Sequence, residues 1–555
     1  MSVADLLHLA GSPRLPADLR CADENPALAW QTLLEREGGA GFARVAGDFS
    51  VAVRLIDGRI FFAVDRFAIR PLCYRGETTT VAVSPRADEL AGADATIRLQ
   101  SLFEYLYFHV IPSPATIFET VLRLPPAHYG VFENGRLSVA PYWVPAFSES
   151  AAPSFPRLRE EFLDLLAQAT SRQLRDGKAA CFLSGGTDSS TVAGMIGKVR
   201  GQPAASYSIG FEAEGYDEMA FARIAAGRFN TEHHEYYVTP DDLVRSIPAV
   251  ASFYDQPFGN SSALPAFYCA RMAQADGVTR ILAGDGGDEL FGGNTRYAKQ
   301  RVFDAYRHLP AALRRGLMEP LFGSAIAAAI PGVKKASSYV QQARIPMPDR
   351  AQLGNLLSSL GLTTVLGADL LAAVDVEAPV RQQRAVWQAA TTGSEVNRAL
   401  AYDWRYTLAE CDLPKVCGTT AMAGLAVGFP MLDDELLAFS LRLPAEYKLK
   451  GLRLRWFFKE ALRGFLPDEI IVKKKQGFGL PFGVWATRHP PLRQLASSSL
   501  QSLAERGVLR HAFVNDLFAR YLAEHPGYYG EMIWIAMMLE QWLQVHRPDF
   551  SVSAR

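Results

Sequence analysis

One short run restricts what this chain can fold into more than any other: Cys181-Phe182-Leu183-Ser184-Gly185-Gly186-Thr187-Asp188-Ser189-Ser190. Ala180 to Leu183 read as a buried strand, and Ser189 and Ser190 open a helix whose free N–H groups point back at the turn. Gly185 and Gly186 put no Cβ between backbone and anion, so strand, turn and helix predict a phosphate cradle. Such a cradle belongs at the carboxyl end of a strand in an open α/β sheet. Asp188, in its middle, suits Mg²⁺ better than phosphate. The spacing excludes two commoner nucleotide loops, because the Gly-Lys-Ser/Thr ending and the third glycine of a dinucleotide turn are both absent.

At 555 residues, 49% apolar and 21% charged, the chain has the size for two or more cored domains. A formal net charge of −1, without a clustered basic face, argues against a nucleic-acid partner. The six cysteines are scattered without a CxxC pair, so no zinc site or disulfide framework is expected, and reduced thiols fit a cytoplasmic protein. Met1 to Arg20 does not read as a signal peptide. The most apolar later run, Leu321 to Val333, is broken by Gly and Pro and too short to span a bilayer, so no membrane insertion is expected.

Residues 1–150 and 151–555 differ in texture. Phe49 to Arg54 and Ile60 to Val64 flank Asp57-Gly58, and Phe132 to Leu137 enclose Asn134-Gly135, which predicts hairpins in an antiparallel sheet. Pro, Ser and Ala cluster from Pro145 to Pro156 as a linker. Beyond it, helical spacing over Leu158 to Leu174, the strand and cradle, and a second strand over Ala204 to Ile209 predict a parallel sheet with helices on both faces. Arg301 to Leu408 and Leu436 onward read as mostly helical.

A second loop, Gly284-Asp285-Gly286-Gly287-Asp288-Glu289, crowds carboxylates and glycines in a way that regular structure would not favour. A divalent cation held jointly by Asp188 and Asp288 on a triphosphate relieves that repulsion. The strand end Ser206 to Phe211 is a candidate edge for adenine, and Asp255-Gln256-Pro257-Phe258 with Ser261-Ser262 a candidate substrate loop. Cations crowd Lys448 to Lys475. Most read as a solvated helix face, but a leaving pyrophosphate needs fixed positive charge, for which Arg455 and a later lysine are candidates.

These residues resemble the asparagine synthetase family over nearly the whole chain. Its SGGxDSS is Ser184 to Ser190, its strand-end motif Ile209-Gly210-Phe211 with Tyr216-Asp217-Glu218, and its acidic loop Gly284 to Glu289. Its later signatures match Leu413-Pro414-Lys415-Val416 and Val427 to Asp433. The resemblance implies an N-terminal Ntn-hydrolase-like antiparallel β sandwich and a C-terminal PP-loop ATP pyrophosphatase domain with extra helices. It implies ATP and Mg²⁺ as cofactors, cleavage of ATP to AMP and pyrophosphate, and a carbon–nitrogen ligase. Nucleotide contacts fall on Leu183, Ser184, Gly185, Gly186, Asp188, Ser189, Ser190, Ser208, Ile209, Gly210 and Gly284, the metal on Asp188 and Asp288, and catalytic roles on Asp285, Arg455 and Lys475. By alignment, the family's pyrophosphate-facing lysine is Arg455 here, which clamps phosphate but does not readily give up a proton.

Gly47-Asp48-Phe49-Ser50 and Asp65 to Leu72 follow the family's glutaminase module. That module needs an N-terminal cysteine, where this chain has Ser2. The family's glutamine-binding Asn-Gly-Glu segment is absent, and Ser84-Pro85 stands where its Ser-Glu pair is expected. A retained scaffold that no longer hydrolyses glutamine is expected. Members with this loss resemble lasso peptide cyclases and β-lactam synthetases. The leading expectation is a macrolactam synthetase that adenylates an Asp or Glu side chain of a leader-cleaved peptide and joins it to the peptide's N-terminal amine. Asp285 would take the amine proton, Gln476, Gly477 and Phe478 would line the acceptor pocket, and a leader peptidase and leader-binding protein would be partners. The alternatives are an amide- or β-lactam-forming enzyme on a small substrate using ammonia or an internal amine, and a non-catalytic nucleotide-binding relative.

Overall fold

A computed structural model of the chain describes residues 3–22, 25–149, 154–307, 309–322, 333–474 and 479–552. The N-terminal half is built from β1 (Asp5–Gly11), β2 (Phe49–Arg54), β3 (Ile60–Val64), β4 (Cys73–Gly76), β5 (Val81–Ser84), β6 (Leu122–Arg123), β7 (His128–Glu133) and β8 (Arg136–Pro141). One antiparallel sheet runs in the order β1-β2-β3-β7-β8, and a smaller one in the order β5-β4-β6. Both expected hairpins form. Asn134 and Gly135 take φ values of 50° and 72° between β7 and β8, the left-handed pair that an Asn-Gly turn supplies.

β2 is buried on both faces because the two sets of alternate side chains enter different cores. Val51 and Val53 pack with Trp30, Phe42 and Phe61, while Ala52 packs with Phe62, Leu72 and Tyr74.

The C-terminal half contains β9 (Ala180–Phe182), β10 (Ala205–Phe211), β11 (Glu232–Val238), β12 (Arg280–Leu282) and β13 (Ala426–Gly428), ordered β11-β10-β9-β12-β13 with every pairing parallel. The chain moves outward from β9 through the helices Thr187–Arg200 and Met219–Phe229, then returns through Pro240–Phe253 and Ala263–Ala275 to place β12 on the other side of β9. The winding therefore reverses between β9 and β12, where open α/β sheets bind ligands beyond the carboxyl ends of their strands. The two glycine loops follow these two strands.

The halves share an apolar core. Leu102, Phe103, Tyr105 and Leu106 lie in one cluster with Met532, Trp534, Met537 and Leu543, and the Tyr105 hydroxyl donates to the Ile535 carbonyl at 2.9 Å. Among the described residues no helix is long and apolar enough to cross a membrane.

Candidate nucleotide site

The loop after β9 turns at Gly185, whose φ of 68° and close approach to the backbone of Phe221 and Ala222 leave no room for a Cβ. Gly186 has ordinary extended backbone and precedes the helix, which starts at Thr187, two residues before the expected Ser189. Asp188 thus stands in the first turn, where the helix dipole favours a carboxylate. The Ser189 hydroxyl ties the loop together, accepting from the Ser184 N–H at 3.1 Å and lying 3.0 Å from Oγ of Ser184.

Leu183, Ser184, Gly186, Asp188, Ser189, Ser208, Ile209, Gly284, Asp285, Asp288 and Arg455 line one cavity of about 1080 Å³. Three expected contacts lie outside its lining: Gly185 faces the backbone of Phe221 and Ala222, Ser190 is buried in the helix, and Gly210 packs against Tyr237 and Asp217. Lys475, with Gln476, Gly477 and Phe478, falls outside the described residues, as does Ser2. The expected substrate loop is largely a correction. The Asp255 carboxylate accepts from the Ala87 N–H at 2.8 Å and Gln256 Oε1 from the Ile117 N–H at 3.2 Å, so both tie the two halves together, while Ser262 reaches the cavity.

Asp188 and Asp288 come from opposite loops and meet at Arg455. The Arg455 guanidinium donates through Nη1 to Oδ2 of Asp188 and Oδ1 of Asp288, both at 2.7 Å, and to Thr187 Oγ1 at 2.9 Å. Its Nη2 bonds the other Asp188 oxygen, and its face lies 4.0 Å from the Phe458 ring centre. Arg455 is in the left-handed region, φ 55° and ψ 36°, which costs a non-glycine residue about 1 kcal/mol or more. The donor set fits Mg²⁺: two oxygen-only carboxylates, each crowded by a glycine, Gly287 or Gly293, whose Cβ would strike it. When bound, the ion supplies positive charge against the phosphates.

The cavity is sorted by charge. Arg453, Lys459, Arg463, Lys473 and Lys474 line it with the phosphate loop, and the Lys473 amine donates to the Gly185 carbonyl at 3.3 Å and pairs with Glu218 at 2.9 Å. Burial and the neighbouring Arg455 charge pull Lys459 below the ordinary lysine range. Asp285, Glu289 and Asp412 form an acidic group around Lys415, whose amine is 2.9 Å from Asp412 and 3.7 Å from Asp285. Burial opposes the charge on Lys415, but Asp412 and Asp285 outweigh it and hold the amine above its usual value. Burial raises Asp285 despite Lys415, and burial with Asp412 and Asp403 holds Glu289 up at about 8. Sequence reasoning assigned no role to Glu289, Asp412 or Lys415, and Lys473 entered only as one lysine of the run that Lys475 was chosen from. For Lys415 the available signal was its place in the Leu413 to Val416 motif.

Residues 161–544 match the family model for asparagine synthase, and residues 30–143 match that for a glutamine amidotransferase domain. The chain is 27% identical to a putative glutamine-hydrolysing asparagine synthetase of Mycobacterium tuberculosis H37Rv, over 80% of this chain and 68% of that one. It is 23% identical to glutamine-hydrolysing asparagine synthetase 1 of Bacillus subtilis 168, over 88% and 76% respectively. It is 31% identical to a putative glutamine-hydrolysing asparagine synthetase 2 of Methanocaldococcus jannaschii, over 46% and 51%. The first model spans most of the chain and carries both glycine loops, and on that basis the chain belongs to the asparagine synthase family.

Proposed function

We propose that this protein is a macrolactam synthetase of the lasso-peptide type. As a member of its family it is an ATP-dependent carbon–nitrogen ligase. The finer reading is that the carboxylate is an Asp or Glu side chain of a peptide and that the nucleophile is the same peptide's N-terminal amine. The carboxylate oxygen attacks the α-phosphorus of ATP and pyrophosphate leaves. The amine then attacks the acyl carbon, AMP leaves with its bonding electrons, and the amine proton passes to Asp285. Asp188 and Asp288 would hold Mg²⁺, and the loop Ser184 to Ser189 would carry the phosphates.

The observation that carries this reading is the contrast between two cavities. The nucleotide cavity, about 1080 Å³, is at the upper end of the usual range for ligand sites, which leaves space beside ATP for a substrate larger than a free amino acid. The pocket between the glutaminase-like half and the synthetase half, lined by Arg14, Asp48, Arg66 and Asp434, is about 20 Å³, room for a single water. In addition, the Ser84 hydroxyl accepts from the Arg86 N–H at 3.1 Å and donates to Glu89, so it is engaged in starting the helix Ala87–Ala91.

The names of the relatives, glutamine-hydrolysing asparagine synthetases, favour a second reading, amidation of a small acid; without glutamine hydrolysis its nitrogen source is free ammonia or an internal amine. Mass spectrometry separates the two. Purified protein with ATP, Mg²⁺ and a core peptide is expected to release AMP and pyrophosphate and to yield a peptide lighter by one water. A product lighter by one mass unit, acid turned to amide, supports the ammonia form of the second reading, and loss of one water from a small amino acid substrate but not from the peptide supports its internal-amine form; ADP with orthophosphate as the nucleotide products contradicts both readings. A leader peptidase and a leader-binding protein are the proposed partners, and co-purification tests them.

A further inference from the structure

Arg455 does more than face a phosphate. It is 4% exposed, its guanidinium is shared between Asp188, Asp288 and Thr187, and it stacks on Phe458. The surroundings are shaped to it. A Cβ on Gly287 would come within 3.0 Å of its Nη2, and one on Gly293 within 2.8 Å of its Cδ, besides striking the aspartates. Its left-handed backbone at the start of the helix Trp456–Ala461 aims the side chain across the gap between the two loops. The oxygens that it engages, Oδ1 and Oδ2 of Asp188 and Oδ1 of Asp288, are the same ones that suit a hard divalent cation. A guanidinium hydrogen-bonded to both carboxylates and a dication bound to the same oxygens repel each other at short range, in a site too buried for water to screen them well.

We infer that Arg455 is an internal counter-ion latch, which keeps the Asp188–Asp288 pair closed to divalent cations until a triphosphate offers the guanidinium a better partner. Phosphate oxygens compete well for it, because the planar fork of an arginine matches phosphate as closely as carboxylate. As Arg455 turns to the triphosphate, the carboxylate oxygens become free for the metal that accompanies the nucleotide. Metal and nucleotide then enter together, and the protein without nucleotide holds no metal to misplace. The inference rests on the reading of the site as one for ATP and Mg²⁺.

Manganese tests it without turnover. Free and bound Mn²⁺ are distinguished by electron paramagnetic resonance on the full chain, with and without a non-hydrolysable ATP analogue cleavage-resistant between the α- and β-phosphates. Wild type is expected to bind Mn²⁺ weakly without the analogue and tightly with it. Arg455→Met, which keeps the stem and removes the charge, is expected to bind Mn²⁺ without nucleotide about tenfold more tightly than wild type. Arg455→Lys, with a point charge that cannot span both carboxylates, is expected to fall between them. Equal Mn²⁺ affinity of wild type and Arg455→Met without nucleotide overturns the latch. No Mn²⁺ binding by wild type even with the analogue overturns instead the metal–nucleotide reading beneath it. Should Arg455→Met not fold, Arg455→Lys decides in its place: Mn²⁺ affinity without nucleotide above that of wild type supports the latch, and affinity equal to that of wild type refutes it.

Discussion

The indole N–H of Trp404 donates to the backbone carbonyl of Glu289 at 2.9 Å, in the acidic loop of the cavity. The ring of Trp404 is in turn met edge-on by Phe67 of the N-terminal half, at 6.0 Å between centres, stacked by Trp143 and packed at a tilt by Phe147, both before the second half begins. The glutaminase-like half thus props the acidic loop through one aromatic side chain. Trp404→Phe keeps much of the ring and leaves the buried Glu289 carbonyl without this donor, a loss of about 1–3 kcal/mol. Urea denaturation measures that loss. In pyrophosphate exchange the variant is expected to lose more in kcat than in KM for ATP, because the loop is displaced while the phosphate cradle is intact. An unchanged kcat would assign Trp404 to packing alone.

Asp188→Asn and Asp288→Asn each remove one of the two carboxylates that share Arg455 at constant side-chain size; at position 188 the amide nitrogen also replaces an oxygen that accepts from the guanidinium. Pyrophosphate exchange is expected to fall by about a hundredfold or more in either variant, the scale for losing a preorganised charge at a phosphoryl centre. Thermal stability is expected to fall in Asp188→Asn, where an amide N–H meets a guanidinium N–H, and to fall less in Asp288→Asn, whose amide oxygen still accepts from Arg455. Near-normal exchange in either variant removes that residue from the site.

Local order was legible where one stretch of chain carries the whole signal. The strand, glycine turn and helix around Ser184 and the Asn134-Gly135 hairpin are of this kind, because neighbouring residues alone set their backbone. Arg455 was picked out as one cation in a charge run, but its partners Asp188 and Asp288 are 267 and 167 residues away, and nothing in the run distinguishes a buried bridging arginine from a solvated one. Asp255 and Gln256 read as a polar substrate loop and instead bond the N-terminal half, since sequence does not say which surface covers a loop. The adjacency of β12 and β13, separated in sequence by a long helical excursion, and the core shared by the two halves are likewise products of tertiary packing.

Asp433 and Asp434 clamp the two halves together. Asp433 accepts from Arg172 at 3.0 and 2.7 Å and from Arg14 at 3.3 Å, and Asp434 from Arg66 and the Gly47 N–H, both at 2.6 Å. The Asp433 side chain is wholly buried, so Asp433→Ala leaves Arg172 without its forked partner and is expected to cost about 3 kcal/mol or more. Asp434→Ala acts on the junction with β2 and its neighbours, and is expected to raise the rate of proteolytic cleavage between the halves. Denaturation curves and limited proteolysis check the two. A cleavage rate equal to wild type in Asp434→Ala would show that Asp434 is not needed to hold the halves together.

Lys448 is fully buried, its amine donating to Asn397 Oδ1 at 2.8 Å and lying 4.7 Å from the centre of the Phe147 ring. Burial pulls its pKa down to about 7, with Glu149 pulling the other way. The unfolded chain holds this proton until an ordinary lysine pKa of about 10.4, so between those values the unfolded state carries more protons than the folded one and stability rises with pH. The stabilising contribution is complete above the unfolded value and is lost as pH falls through about 7. Over pH 7 to 9 this one group accounts for a slope of up to about 1.4 kcal/mol per pH unit, superimposed on whatever other groups contribute. Lys448→Met removes the titration, so urea denaturation at pH 7, 8 and 9 is expected to give a flatter profile for the variant than for wild type. Parallel profiles would mean that the buried amine stays charged throughout, held so by Asn397 and Glu149.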